Sequence, residues 1–416
     1  MGTTQEVKRN LSLYQHIIAS DLQPGDPGYF QLVRRFMPIQ IPLGPVMDIS
    51  PYIEDEESTA IWEPGKETNG FFMILGASGS GKTECLKKIG RELVKHAIPV
   101  LNFDFHGDVV IPHMRSILMS SGRASVIGIN PLAIPFDFSG QVGPQDQRNA
   151  LVSMFTRAIP ALGHNQRRIL QEAIEEAFRS VGIRDDNSHS WYRHAPQMRR
   201  VLDILNHRLE DDLWKTDRTS IRGCISAIKN LFDHPIFQRN QMLSVEEVLS
   251  SNTRIDLSKV VDDGVRYVVT ETLLRMIFNA LRQRGPIPVN PTDDSERFRL
   301  FIIIDEAKIL SMGRGDPSGK DRILNVLATE GRKFGIGLIL ASQVGDHFGT
   351  ETKANIGSKL VLKQMDFNEA KRRAKDIQVA PERVANLKGH GDGFFRSGAS
   401  GRAIRVQISP IKPDSE

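Results

Sequence analysis

The stretch that most constrains this chain is Phe71-Phe-Met-Ile-Leu-Gly-Ala-Ser-Gly-Ser-Gly-Lys-Thr83. Phe71 to Leu75 is an apolar run and reads as a buried strand. It breaks at Gly76, and the pattern Gly-x-x-x-x-Gly-Lys-Thr fills Gly76 to Thr83. From Glu84 onward, Leu86, Ile89 and Leu93 recur at helical spacing. Strand, glycine loop and helix in that order make a phosphate-binding loop. Gly76, Gly79 and Gly81 let the backbone wrap closely around an anion. The wrapped amides of Ala77, Ser78 and Ser80, with the helix start at Glu84, direct positive charge at phosphates. Lys82 reaches the β- and γ-phosphates of a nucleoside triphosphate, and Thr83 offers its hydroxyl to Mg²⁺. ATP and Mg²⁺ are therefore the expected ligands.

A phosphate loop alone says only nucleotide; hydrolysis needs a metal-holding acid and an activator of water. Ile302-Ile-Ile-Asp305-Glu306 supplies both at the end of a second apolar strand. Asp305 is the candidate Mg²⁺ ligand and Glu306 the candidate general base. Such an acidic pair also suits an ordinary helix start. Gln343 closes a third apolar strand, Ile336 to Ala341. Its neutral amide can hydrogen-bond both water and the γ-phosphate, or simply cap the strand. Arg332, just before that strand, is a candidate for stabilising phosphoryl charge, with Lys333 the alternative carrier.

The rest of the chain fits a sheet of strands alternating with helices. Its 416 residues allow two or three domains, and a 40% hydrophobic content can bury a sizeable core. Residues 1–65 read as a small N-terminal unit, with a turn cluster at Pro24 to Gly28, a short strand at Ile39 to Leu43 and an acidic turn at Glu54 to Glu57. Trp62 there can stack on a base or simply pack. Residues 66–143 and 250–416 read as the α/β unit, with further strands at Ile98–Phe105, Ala124–Ile129, Thr253–Leu257, Lys359–Lys363, Gly393–Arg396 and Ala403–Ile408. Residues 144–249 read as a helical insertion. Its pairs Arg167-Arg168 and Arg199-Arg200, like Lys371-Arg372-Arg373 further on, suit DNA phosphates or solvated helix faces equally.

A net charge of +4 is compatible with a nucleic-acid partner. Two cysteines, Cys85 and Cys224, make no disulfide framework or metal cluster, so a reducing, cytoplasmic setting is expected. No apolar run reaches the length of a membrane span.

Taken together, Gly76 to Thr83, Asn130-Pro131-Leu132, Ile304 to Ala307, and Glu330-Gly-Arg-Lys-Phe-Gly335 with Ala341-Ser-Gln343 resemble the HerA/FtsK branch of P-loop ATPases. That branch includes conjugative coupling proteins and virus packaging motors. The similarity covers about Lys66 to Leu132 and Thr253 to Ile408. It implies a RecA-like core with a mostly parallel sheet and the catalytic glutamate on an added central strand. It also implies a homohexameric ring that passes double-stranded DNA through its channel at the expense of ATP, often beside a nuclease or other effector. Lys82 and Thr83 match the Walker A pair, Asp305 and Glu306 match Walker B, Gln343 matches the sensor, and Arg332 matches an arginine finger acting across subunits. Relative to the family, the segment before the core is short for the HerA β-barrel, and the helical insertion resembles the all-α domain of coupling proteins. The same layout occurs in HerA-like subunits of anti-phage systems. An ATP-gated scaffold that recruits an effector without moving DNA is the alternative reading, and a kinase a more distant one.

Overall fold

The computed structural model describes residues 37–47, 58–134, 143–311 and 322–409. The turn cluster at Pro24 to Gly28 and the acidic turn at Glu54 to Glu57 lie outside these residues. Among the described residues are thirteen strands: β1 (Ile41–Pro45), β2 (Thr59–Trp62), β3 (Phe71–Leu75), β4 (Val100–Asp104), β5 (Arg115–Leu118), β6 (Ile127–Gly128), β7 (Gln241–Met242), β8 (Thr253–Asp256), β9 (Leu300–Ile304), β10 (Ile336–Ser342), β11 (Ser358–Leu362), β12 (Asp392–Arg396) and β13 (Ala403–Gln407). Nine form one sheet in the order β13-β12-β11-β3-β10-β9-β4-β8-β5. From β11 to β5 every pairing is parallel, and only β12 is reversed, pairing antiparallel with both β11 and β13.

The apolar runs follow from burial on both faces, as parallel sheets require. Side chains alternate along a strand. Phe71, Met73 and Leu75 of β3 enter one apolar layer with Ile302 of β9 and Leu338 of β10. Phe72 and Ile74 enter the opposite layer with Ile303 and Ile339. That second layer is closed by helix α1 (Lys82–Leu93), through Leu86 and Ile89, and by β1 and β2, through Ile41, Leu43 and Trp62. Trp62 is fully buried, donates Nε1–H to Ser358 Oγ at 3.1 Å and meets Phe72 edge-on. Packing, not base stacking, is its role.

The first layer is covered by α2 (Pro144–Ala158), α3 (His164–Ser180), α4 (Met198–Glu210), α5 (Arg218–Phe232) and α6 (Asp263–Gln283). One buried ion network ties α2 to α6. Arg157 donates to Tyr267 Oη at 2.6 Å and to Glu271 at 2.8 Å, and Glu271 also accepts from Arg275. Asp262 caps α6 by accepting from Val265 N.

Two expectations fail here. Ala124–Ile129 does not join the main sheet; only Ile127–Gly128 is extended, paired with β7. The sheet edge is β5 instead, whose Arg115 and Ser116 are exposed, so no apolar run marks it. Further, the glutamate is not on an added strand. The strand wedged between β3 and β9 is β10, which leads to Gln343, whereas Glu306 follows β9 on its far side.

Candidate functional site

Strand register makes the site. Ser342 of β10 lies level with Leu75 of β3, so Gln343 stands beside Gly76. Leu340 pairs with Ile304 of β9, which pairs with Phe103 of β4. The C-terminal ends of four adjacent parallel strands therefore present Gly76, Gln343, Asp305 and Asp104 along one edge. In parallel α/β sheets that edge is where ligands bind.

Two glycines of the phosphate loop take the conformation its sequence implies, but the amides of Ala77 and Ser80 donate to Lys363 O and Ala77 O and not to an anion, contrary to expectation. Gly79 and Gly81 have φ of 72° and 103° in the left-handed region, and Gly81 precedes the first residue of α1. Gly76 N donates to Ser342 O at 3.3 Å and Ala77 N to Lys363 O at 2.9 Å, which ties the loop to both neighbouring strands. Lys82 Nζ donates to Gly76 O and Ala77 O, each at 2.9 Å, so its ammonium sits across the mouth of the loop. Burial lowers the Lys82 pKa, and the charges of Glu306 and Asp305 work against that. Ser78 and Gly79 are exposed, while Ser80 is buried. Glu84 pairs with Lys87 at 3.1 Å on the first turn of α1.

Asp305 is buried and its Oδ2 lies 2.9 Å from His106 Nδ1. That hydrogen bond raises the His106 pKa. Asp108 Oδ2 accepts from Thr83 Oγ1 at 3.4 Å, which brings the loop after β4 to the phosphate loop. Burial, with the charges of Asp305 and Asp104, raises the Asp108 pKa. Ligand atoms of His106, Asp108 and Asp305 lie within 4.8 Å of one another. Carboxylate and hydroxyl oxygens of Asp305, Asp108 and Thr83 are the hard donors Mg²⁺ prefers, so the residues present fit that ion. Glu306 follows Asp305, and its Oε1 is shielded from solvent without a hydrogen-bond partner among the described residues. Burial, then the neighbouring Asp305 charge, raises its pKa and makes it a stronger base than a free carboxylate.

His106 and Asp108 were not singled out by their residue types. The signal for them was Asp104-Phe-His-Gly-Asp108 at a strand end. Asp104 is fully buried and brackets that turn: it accepts from the backbone N–H of His106, Gly107 and Val109. Arg254 of β8 pays for its burial with two hydrogen bonds, at 2.9 and 2.7 Å.

Arg332 is exposed on a short 3-10 turn, Gly331–Phe334, before β10. It is thus at the opposite end of that strand from Gln343 and outside its own chain's site. Lys333 shares this position. The basic run lies on helix α8 (Phe367–Ile377, numbered after α7, Ile323–Glu330), where Lys371 and Arg372 are exposed. Arg373 is buried and holds Asp346 and Asp376, and Arg372 also pairs with Asp346, at 2.9 Å. The fold uses both to fix the loop after Gln343. In the helical stretch Arg168 pairs with Glu172 and Asp217, and Arg200 donates to Ser180 Oγ. Cys85 and Cys224 are buried, and burial pushes both thiols up to about 12. No helix among the described residues is long and apolar enough to cross a membrane.

Comparison with known proteins places this geometry. Residues 71–277 match the central domain of helicase HerA. A probable helicase of Methanocaldococcus jannaschii is 22% identical over 316 residues, covering 75% of this chain and 55% of that protein. The DNA double-strand break repair helicase HerA of Sulfurisphaera tokodaii is 20% identical, covering 72% of this chain and 56% of that protein. The chain thus spans about half the length of these relatives. Among solved structures, VirB4 of Thermoanaerobacter pseudethanolicus superposes with a TM-score of 0.66 at 19% identity, covering 90% of this chain and 96% of that one. The plasmid coupling protein TrwB, in complex with ADP and Mg²⁺, gives 0.59 at 12% identity, covering 85% and 88%. These structures share the fold, a RecA-like core on a mostly parallel sheet.

Proposed function

Because the chain is a HerA-like P-loop ATPase related to conjugative coupling proteins, we propose that it hydrolyses ATP in a ring of its own copies and uses the cycle to move double-stranded DNA. The observation that supports this reading is the neighbouring C-terminal ends of β3, β10 and β9, with Lys82 and Thr83 following from Gly76, Gln343 next to Ser342, and Asp305 and Glu306 next to Ile304. Lys82 and the loop amides bind the β- and γ-phosphates. Thr83 and Asp305 would hold Mg²⁺, with Asp108 beside them; the ion would neutralise phosphate charge. Glu306 takes the proton of the water that attacks the γ-phosphorus as the bond to the β–γ bridging oxygen breaks. Gln343 orients that water and registers loss of the γ-phosphate.

Arg332 supports the ring. It lies too far from its own chain's Lys82 to touch the same triphosphate, so a charge-stabilising role requires a neighbouring subunit. In this reading the channel grips DNA phosphates without sequence preference, and a nuclease or other effector docks on the ring. The S. tokodaii relative's role in double-strand break repair is consistent with that.

The test is ATP turnover with and without duplex DNA, on the wild type and Glu306→Gln. A DNA motor shows strong stimulation that fades with salt. Turnover that ignores DNA at low salt would leave only an ATP-gated scaffold.

A further inference from the structure

The phosphate loop has a support that its motif does not contain. β12 begins and β13 ends beside it, on the far side of β11. Gly391 N donates to Ser80 O at 2.8 Å, and His390 Nδ1 lies 3.0 Å from Gly79 O. A carbonyl only accepts, so Nδ1 carries the proton. Behind these two residues Gln407 Nε2 donates to His390 O at 2.9 Å and Ile408 N to Gly391 O at 2.7 Å. Asp392 accepts from Arg405 and from Lys388 N, which fixes both ends of the short segment. The approach is close by design of the sequence: a Cβ on Gly81 would stand 3.0 Å from Gly391 N.

These contacts fix two successive peptide planes of the loop. In a trans peptide the C=O and the N–H point in opposite directions. Holding Ser80 O toward Gly391 therefore aims Gly81 N–H the other way, into the anion hollow. Holding Gly79 O toward His390 turns Ser80 N–H back onto Ala77 O, at 3.2 Å, and closes the turn. Gly79 itself has nothing within 4 Å of the place a Cβ would occupy, so no packing steadies it. A glycine there loses the most conformational freedom on ordering.

We propose that His390 is a positioning residue for ATP binding: with Gly391 it latches the phosphate loop, from the same chain, in its anion-binding shape. This rests on the reading of the loop as an ATP site. The latch acts on affinity and leaves the chemistry at Glu306 alone. Losing one such hydrogen bond corresponds to an about three- to tenfold weaker ATP affinity.

The experiment uses the full chain and titrates a fluorescent ATP analogue, alongside steady-state turnover. His390→Ala should raise Kd and KM for ATP by about that factor, with kcat at saturating ATP retained. His390→Asn should restore affinity, because its amide nitrogen occupies the place of Nδ1. His390→Gln, whose amide falls one atom further out, should not. Gln407→Leu, which removes the donor behind His390 O, should weaken affinity in the same direction and serves if His390→Ala is poorly folded. Unchanged Kd in His390→Ala and Gln407→Leu overturns the latch, as does equal rescue by Gln and Asn, or a fall in kcat at constant KM. A wild type that binds no ATP sinks the ATP-site reading instead, so the two failures are distinguishable.

Discussion

Arg332 offers the sharpest test of the ring. β10, Ile336–Ser342, has seven residues and separates the Arg332 turn from Gln343. At a rise of about 3.3 Å per residue the strand spans roughly 23 Å. No arginine side chain bridges that gap, so any contribution of Arg332 to hydrolysis must be made to another subunit's site. Arg332→Ala alone should then lower kcat by about a thousandfold or more, the range for an arginine finger. Glu306→Gln alone should lower it by about a hundredfold or more. Mixed rings behave differently. A working interface needs the glutamate from one subunit and the arginine from the next. In an equal, random mixture of the two variants about a quarter of interfaces in a closed head-to-tail ring meet that condition, whatever the number of subunits. The assay is ATP turnover of rings carrying both variants, co-expressed with two tags and purified through both. About a quarter of wild-type activity is expected for independent sites, highest at equal mixing. Purified mixed rings with no more activity than the parents would refute the trans assignment, because both missing groups are then present and still do not cooperate.

Four further outcomes follow from the site. Lys82→Ala removes the ammonium that spans the loop mouth and should abolish ATP binding in a fluorescence titration; normal affinity contradicts the phosphate-loop assignment. Glu306→Gln should bind ATP as the wild type does while turnover falls by about a hundredfold or more; unchanged turnover removes Glu306 from the base role. Arg254→Met strips a fully buried Asp104 of its charge partner and should cost about 3–5 kcal/mol in urea unfolding; a loss below about 1 kcal/mol would mean that water reaches Asp104. Asp346→Ala frees the loop after Gln343 from Arg372 and Arg373, and should lower the Hill coefficient for ATP while a single-site Kd is retained; an unaltered Hill coefficient shows that this clamp does not link sites.

How much of this the sequence revealed depended on whether the information was local. The phosphate loop is contiguous, and Gly79 and Gly81 adopt the positive φ that its glycines imply. β3, β9 and β10 are buried on both faces, so each wrote an unbroken apolar run and its end could be located. β5 is an edge strand with Arg115 and Ser116 in solvent, and it left no such mark. Ala124–Ile129 is apolar enough to look like a strand, yet its only extended part pairs with two exposed residues, Gln241 and Met242. Nothing local in Lys371-Arg372-Arg373 showed that Asp346, 27 positions from Arg373, pairs with it, because only the fold brings the two together. The latch was further out of reach. His390 and Gly79 are 311 positions apart, and the loop contributes only a backbone carbonyl, which no residue type signals.

The placement of β10 between the phosphate loop and the acidic pair bears on how neighbouring sites in the proposed ring would be coupled. β10 is buried along its whole length and hydrogen-bonded on both sides, to β3 and to β9. A strand so held moves as one body with its neighbours; interiors at crystal-like density transmit displacement instead of absorbing it. One end carries Gln343, which on the proposed reading faces this chain's γ-phosphate. The other carries Arg332, which on the proposed reading faces the γ-phosphate of the next subunit. Loss of that phosphate would release Arg332, and β10 is a rigid route from there to Gln343 and to Asp346, which Arg372 and Arg373 of α8 hold. The two sites then share a mechanical element, and hydrolysis at one biases the other without any separate signalling domain. On this view the inserted strand lets the state of one site bias the next without requiring every site in the ring to be active.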